Sequence, residues 1–268
     1  MGYRVAFSMP THSSQALEAL FRHCSEFGFC GLQLKPCQYE PFLGDPAGFL
    51  GRWGEWAPLA TALVVDLRVA SDAGRRLLEQ VLDLSVGMDG DLVVLCCDGP
   101  PLATDAERAK SLLAQLDAIG RRARGKGLKT LLINRQGRLI ERRADLELFA
   151  ATADPDVLGL ALDTAHLVLC GETDPASTVR DFRRHLADVH LKDLARSRFP
   201  MLEGKQGELR SIGEGEIDFR PVFEALDAIG YTGWLTVDDE GGSREPVECM
   251  SRASEFLQSI LQGQGKGQ

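Results

Sequence analysis

The sequence predicts a single α/β domain built as a (β/α)8 barrel. Eight short apolar runs recur at intervals of about one eighth of the 268-residue chain, and segments with helical periodicity lie between them. Strand–helix alternation requires parallel pairing, because the chain returns to each next strand through a helix. Eight such units, in a chain close to the usual barrel length of about 250 residues, favour closure over an open sheet, which remains the alternative.

The predicted strands are continuous apolar runs. Leu63-Val64-Val65 and Leu92-Val93-Val94-Leu95 contain no polar residue, which is typical of strands buried on both faces. The eight runs are Val5–Phe7, Gly31–Leu34, Ala62–Leu67, Asp91–Cys96, Lys129–Ile133, Leu158–Leu162, Ala187–Leu191 and Trp234–Val237.

Two connecting segments illustrate the helical pattern. Lys110–Gly120 and Pro221–Ile229 each place their apolar residues on one face, and Gly230 follows the second as a C-cap. The segment from Asp193 to Asp218 lacks clear periodicity, and we expect it to form a long loop over the C-terminal face of the barrel. No linker divides the chain, so we expect one domain over residues 1–262 and a frayed tail over 263–268.

Composition argues against several classes of function. A net charge of −9 and an isoelectric point near 5.1 disfavour nucleic acid and anionic membrane surfaces as partners. The seven cysteines form no C-x-x-C pair and are odd in number, so buried reduced thiols are expected rather than disulfides. The sequence shows no signal peptide and no long apolar run, which predicts a cytoplasmic protein. Homodimerisation stays open.

Polar residues stand at the ends of three successive predicted strands. Asp163 ends strand six, His190 lies in strand seven and Asp238 ends strand eight. Singly, such an Asp is more often a helix N-cap and such a His a hydrogen-bonded core residue. Because side chains at the C-terminal ends of barrel strands share one mouth, the three together predict a site for one divalent cation, Mn²⁺, Mg²⁺, Co²⁺ or Zn²⁺.

Four motifs in the second half resemble the xylose isomerase-like sugar phosphate isomerase/epimerase superfamily. They are Leu-Asp-Thr-Ala-His (162–166), Val-His-Leu-Lys-Asp (189–193), Gly-Glu-Gly-Glu-Ile-Asp-Phe (213–219) and Gly-Tyr-Thr-Gly-Trp-Leu (230–235). The resemblance is specific over Leu158 to Leu235, whereas the first half matches only in strand rhythm. It implies a TIM barrel that acts on a small polyhydroxylated carbonyl compound, as keto-sugar epimerases, hydroxypyruvate isomerase, inosose dehydratase and 3-dehydroshikimate dehydratase do.

The resemblance also implies a set of site residues. The family holds one metal ion with four ligands from strands five to eight, and Asp163 and His190 match those of strands six and seven. Asp238 stands where the family has Glu on strand eight. The strand-five Glu is absent, and Asn134 is the best-aligned replacement. His166 matches the histidine that holds a substrate oxygen.

Loss of the strand-five carboxylate affects the proton transfer that the family mechanism implies. We expect His166, Asp238 and Glu216 to be catalytic, with Lys192 and Glu214 as further replacements for the missing acid/base group. The predicted substrate-binding residues are Arg196, its competitor Arg210, and two lysines, Lys35 and Lys192, which follow strands two and seven.

Three functions follow from this pattern. The leading one is a metal-dependent isomerase or epimerase acting beside a ketone carbonyl, with a dehydratase of the same family as the alternative. A non-catalytic sugar-binding or partner subunit is the second hypothesis, because a ligand is missing. An endonuclease of the abasic-site type is the third, and the acidic charge argues against it.

Overall fold

Eight parallel strands form a closed barrel in the computed structural model, which describes residues 2–56, 60–69, 71–196, 207–241 and 244–264. The strands of these ranges are β1 Arg4–Ser8, β2 Gly31–Leu34, β3 Ala60–Leu67, β4 Leu92–Cys97, β5 Lys129–Ile133, β6 Leu158–Asp163, β7 Leu186–Leu191, β8 Asp193–Arg196, β9 Gly207–Arg210 and β10 Trp234–Asp238. Eight of these strands form the barrel, in the order β1-β10-β7-β6-β5-β4-β3-β2, and β8 and β9 form a separate two-stranded sheet. This order confirms the predicted fold class and all eight predicted strands.

Helices surround the barrel. They are α1 Ser14–His23, α2 Pro36–Tyr39, α3 Pro46–Trp53, α4 Asp72–Gly87, α5 Ala106–Gly125, α6 Arg143–Thr152, α7 Thr164–Leu169, α8 Pro175–Asp181, α9 Arg220–Ala228 and α10 Pro246–Gln264. Short side chains cap several N-termini, as where Asp105 accepts a hydrogen bond from the Arg108 amide at 3.0 Å. Gly230, with φ +62°, follows α9 as predicted. None of the described helices is both long and apolar enough to cross a membrane.

The core has two apolar layers, one inside the barrel and one between the strands and the helices. Within β3, Val64 belongs to the small inner cluster, whereas Leu63 and Val65 belong to the large outer one. Both clusters are apolar because each strand is covered on both faces, which explains the continuous apolar runs in the sequence. Four of the seven cysteines are buried free thiols, whereas Cys30 and Cys37 are exposed.

Strand register brings the polar strand ends together. Asp163 of β6 is directly opposite His190 of β7, and His190 is opposite Thr236 of β10. Asp238 lies two residues beyond Thr236, and alternate residues of a strand point to the same face. Neighbouring strands therefore present Asp163, His190 and Asp238 at one end of the barrel.

The segment after β7 contains regular structure that the sequence reading missed. Asp193–Arg196 and Gly207–Arg210 pair as an antiparallel hairpin, and residues 197–206 lie outside the described ranges. The buried carboxylate of Asp193 accepts hydrogen bonds from the amides of Leu194, Gly213, Gly215 and Ile217 at 2.8–3.1 Å. One carboxylate therefore anchors the chain that returns to α9. Neither of these two strands is a continuous apolar run, so the signal that predicted the barrel strands is absent from them.

Candidate metal centre and active site

Asp163, His190 and Asp238 form a buried cluster at the C-terminal end of the barrel. One ligand atom of each lies within 4.8 Å of those of the other two. Carboxylate oxygen and imidazole nitrogen are donors that Mn²⁺, Co²⁺ and Zn²⁺ accept readily. The proximity on which the predicted metal site depended is therefore present, and this group could bind a metal ion.

Asp163 caps a helix with one carboxylate oxygen and has a second, buried oxygen in the cluster. Its Oδ1 accepts a hydrogen bond from the His166 amide at 2.9 Å, so this oxygen caps α7. Its Oδ2 is buried and accepts no hydrogen bond from any described residue. A buried carboxylate oxygen without a donor is costly, and a bound cation would relieve that cost. The cap therefore holds Asp163 in the orientation that a metal ligand needs.

His190 lies between two carboxylates. Its Nε2 is 3.2 Å from Asp188 Oδ2, and its Nδ1 is 3.3 Å from Asp238 Oδ2. Burial opposes protonation of the ring, but the charges of Asp188 and Asp238 prevail and raise the His190 pKa to about 9. A carboxylate that holds one ring nitrogen and leaves the other for a cation is the usual outer support of a metal-binding histidine.

Asp188 is itself held in place. Its carboxylate accepts hydrogen bonds from Thr236 Oγ1 at 3.0 Å and from Gln33 Nε2 at 2.9 Å. All three side chains are buried inside the barrel, below the cluster. None of these roles was predicted from the sequence. The signal was available, because Asp188 and His190 are two residues apart in one strand and so share a face.

Two lysines contact the same carboxylates. Lys192 Nζ is 2.8 Å from Asp238 Oδ2, 3.1 Å from Glu240 Oε2 and 3.4 Å from Asp163 Oδ2. Lys35 Nζ is 2.8 Å from Asp238 Oδ1 and 2.9 Å from Glu240 Oε1. Burial alone would raise the Asp238 pKa, but Lys192 and Lys35 hold it well below its usual range. Both predicted lysines therefore contact the cluster. Each also pairs with Glu240, for which no role was predicted.

Asn134 is buried next to Asp163, but its amide makes other contacts. Its Nδ2 donates to the Asp163 carbonyl at 3.1 Å, and its Oδ1 accepts from the Asp163 amide at 2.7 Å. The side chain thus continues the pairing of β5 with β6 beyond the last strand residues. Its role as a metal ligand stays a prediction, and the observed contacts show that it positions the backbone of Asp163.

His166 is nearly buried, and neither ring nitrogen has a hydrogen-bond partner among the described residues. Burial lowers the His166 pKa. The Asp163 carboxylate alone would raise this pKa, but the positive charges of Lys192 and Arg135 lower it further. A neutral imidazole has one donor and one acceptor nitrogen. The unpaired ring is therefore suited to hold an oxygen of a bound molecule.

Of the other predicted residues, the three whose side chains the structure describes do not contact this cluster. Glu216 is exposed and lines a depression of about 640 Å³ near α9 and α10. Glu214 pairs with Arg244 and Arg252 on the surface. Arg210 pairs with Glu208 of its own strand. Both glutamates belong to the loop that the Asp193 carboxylate holds, and their side chains lie on its outer side. Arg196 belongs to β8, but its side chain lies outside what the structure describes.

Known proteins include a family whose profile matches this chain and relatives of similar sequence. The profile of a family described as "Xylose isomerase-like TIM barrel" matches residues 59–260. An inosose dehydratase of Lacticaseibacillus casei is 30% identical over 175 residues, which are 61% of this chain and 58% of that protein. The match thus spans less than three fifths of the length of this curated relative.

Two solved structures share the fold. A probable 3-DHS dehydratase of Bacillus anthracis superposes with a TM-score of 0.75 at 14% identity, over 96% of this chain and 99% of that one. The structure of an IOLI protein with a bound zinc atom superposes with a TM-score of 0.71 at 13% identity, over 97% and 98%. At these identities the likeness shows the fold alone.

Proposed function

Because the chain belongs to the xylose isomerase-like TIM barrel family, we propose that it is a divalent-metal-dependent dehydratase of a small polyhydroxylated ketone. The enzyme removes a proton from the carbon next to the carbonyl, and a neighbouring hydroxyl leaves as water. The inosose dehydratase relative supports the reaction class. The observation that carries the proposal is the buried cluster of Asp163, His190 and Asp238.

The cluster fits a divalent cation. Asp163, His190 and Asp238 would hold it, with Asp188 and the cap on α7 orienting the first two ligands. When bound, the ion polarises a substrate carbonyl and stabilises the negative charge that develops on its oxygen. Burial of the cluster keeps water away from this charge, which strengthens every electrostatic interaction in the site.

Asp238 is the group that moves the proton. The Asp238 carboxylate takes the proton from the carbon, whose electron pair forms the new double bond as the carbon–oxygen bond of the leaving hydroxyl breaks. The carboxylic acid so formed gives this proton to the leaving hydroxyl, which departs as water, while an N–H of neutral His166 donates a hydrogen bond to the leaving oxygen. Lys192 and Lys35 keep the Asp238 carboxylate ionised and in position before the transfer.

Asn134 favours dehydration over epimerisation. An epimerase needs a group on each face of the substrate to remove and return a proton, and the family uses a strand-five glutamate for one of them. Here that position is an amide that cannot carry a proton and whose polar atoms both bond the Asp163 backbone. A dehydratase can use one carboxylate, which takes the proton from the carbon and passes it to the leaving hydroxyl, and Asp238 provides it.

An isomerase or epimerase acting on the same substrate class is the second candidate. Glu240 favours it, because this half-buried carboxylate lies at the mouth of the same site, bound by Lys35 and Lys192. It is a second carboxylate that could return a proton to the substrate in place of the missing strand-five glutamate.

Incubating the Mn²⁺-loaded protein with inosose in deuterated water separates these functions. We expect a product that has lost one water, detected by mass spectrometry. A product of unchanged composition that carries deuterium on carbon would indicate the isomerase. Neither change on inosose, on open-chain keto-sugars or on polyhydroxylated ketones that carry a carboxylate or a phosphate would refute both functions.

Asp163→Asn is the informative variant for this assay. Asparagine retains a side-chain oxygen that can cap α7, so the fold should persist, while the ligand charge is lost. We expect Mn²⁺ binding, measured by electron paramagnetic resonance, and turnover to fall together. Full turnover by a variant that no longer binds Mn²⁺ would contradict the metal-dependent mechanism.

A further inference from the structure

Arg135 differs from the other basic side chains around the barrel mouth. It directly follows Asn134 at the C-terminal end of β5. Lys35 and Lys192 pair with Asp238 and Glu240, and Arg138 of the same turn pairs with Asp66 and Asp98. The Arg135 guanidinium makes no ion pair and no hydrogen bond with any residue in the described ranges, although it is partly buried.

The backbone around Arg135 is fixed. Its amide donates to the Ile140 carbonyl at 2.8 Å, and its carbonyl accepts from the Arg138 amide at 3.1 Å. On the N-terminal side, the Asn134 side chain bonds both backbone groups of Asp163. Arg135 therefore extends from a turn held on both sides, so little backbone freedom is lost when its side chain binds something.

The charge of Arg135 acts on the site described above. Its positive charge helps to lower the His166 pKa. Burial alone would lower the pKa of the Arg135 guanidinium, but the negative charges of Glu240, Asp163 and Asp238 raise it. Both oxygens of Glu240 are engaged by Lys35 and Lys192. Arg135 directly follows Asn134, whose side chain bonds the backbone of Asp163, and Asp163 caps the helix that carries His166. This chain of contacts connects the unpaired guanidinium to the unpaired imidazole of His166.

We propose that Arg135 binds an anionic group of the substrate, a carboxylate or a phosphate, while His166 holds a neighbouring oxygen. The inference rests on the proposed function and narrows its substrate class to polyhydroxylated carbonyl compounds that carry an acidic group. Guanidinium pairs with either anion through two parallel hydrogen bonds, and shielding from water makes such a pair stronger than an exposed one.

Matched polyols test the proposal without turnover. Gluconate, sorbitol and sorbitol 6-phosphate share one open-chain scaffold and differ in a terminal carboxylate, hydroxymethyl or phosphate group. Isothermal titration calorimetry would compare their affinities for the Mn²⁺-loaded protein. We expect at least one charged probe to bind about 10- to 100-fold more tightly than sorbitol, as a charge-assisted pair implies. The tighter of the two charged probes identifies the acidic group.

Arg135→Gln should remove this preference and leave sorbitol affinity unchanged, and Arg135→Lys should restore part of it. Arg138→Gln is the matched control, because Arg138 lies in the same turn but is already paired. We expect it to retain the preference. Equal binding of charged and neutral probes, no binding of either charged probe, or a preference that survives Arg135→Gln would each overturn the proposal.

The same titrations keep this inference separate from the proposed function. Repeating them after removal of metal with a chelator shows whether discrimination depends on Arg135 alone. Failure to bind Mn²⁺ would reject the metal-dependent reaction, whereas loss of discrimination with Mn²⁺ still bound would reject only the assignment of Arg135.

Discussion

Replacing Lys192 by methionine should reveal how strongly its ammonium compensates the buried carboxylates. Among the described residues, Lys192 is the one whose cationic group forms an ion pair with the Asp163 carboxylate. Asp238 and Glu240 would retain Lys35 after the substitution. The uncompensated charge would therefore fall mainly on Asp163, which is fully buried. Breaking such a buried pair costs about 3–5 kcal/mol of unfolding free energy.

The same substitution should increase affinity for Mn²⁺. The ammonium and a bound cation are like charges that share the carboxylate oxygens of Asp163 and Asp238, so removing one favours the other. Metal should therefore restore most of the lost stability. A ligand that binds only the folded state stabilises it, and the gain grows with the logarithm of the ligand concentration divided by the dissociation constant.

Urea denaturation with chelator and with excess Mn²⁺, followed by circular dichroism, measures both effects. Lys126→Met is the control, because Lys126 forms an exposed pair with Asp83, and such a pair contributes about 0–1 kcal/mol. If Lys192→Met unfolded like the wild type in chelator, or bound Mn²⁺ more weakly, Lys192 would not neutralise these carboxylates as the contacts indicate.

Two further predictions concern groups that support the site. Asp188→Asn should weaken Mn²⁺ binding by about 10- to 100-fold in calorimetric titration, because the outer partner of His190 is lost; unchanged affinity would argue against that partnership. Gly215→Ala should destabilise the protein by about 1–3 kcal/mol in urea denaturation, because a Cβ there would lie 2.2 Å from Asp193 Oδ1. Gly125→Ala, where a Cβ meets nothing within 4 Å, should not destabilise.

The barrel was predictable because its signals are local and repeated. Each strand covered on both faces carries an apolar run, and the helices between them carry a periodic stripe, so the order of elements alone implies parallel pairing. The same logic located Asp163, His190 and Asp238, because the topology of a parallel barrel gathers strand ends whatever the details of the loops.

Contacts that depend on side-chain reach were not predictable in this way. Asn134 was expected to face a metal, and nothing in its neighbours indicated that its amide would pair with the backbone of Asp163. Glu216 was expected to replace the missing acid/base group, but it is exposed in the loop that the Asp193 carboxylate holds, where it lines a depression near α9 and α10. Both outcomes arise from interactions between residues far apart in sequence.

The two lysines and the amide at position 134 are parts of one electrostatic arrangement. A glutamate at 134 would add a fourth carboxylate next to Asp163, Asp238 and Glu240, and like charges this close raise one another's pKa. With a neutral amide instead, Lys192 and Lys35 suffice to keep the remaining carboxylates ionised. The absent ligand therefore does not by itself indicate a decayed site, because the charges that remain are paired and held in position. A decayed site would be expected to replace such buried charged groups with apolar residues.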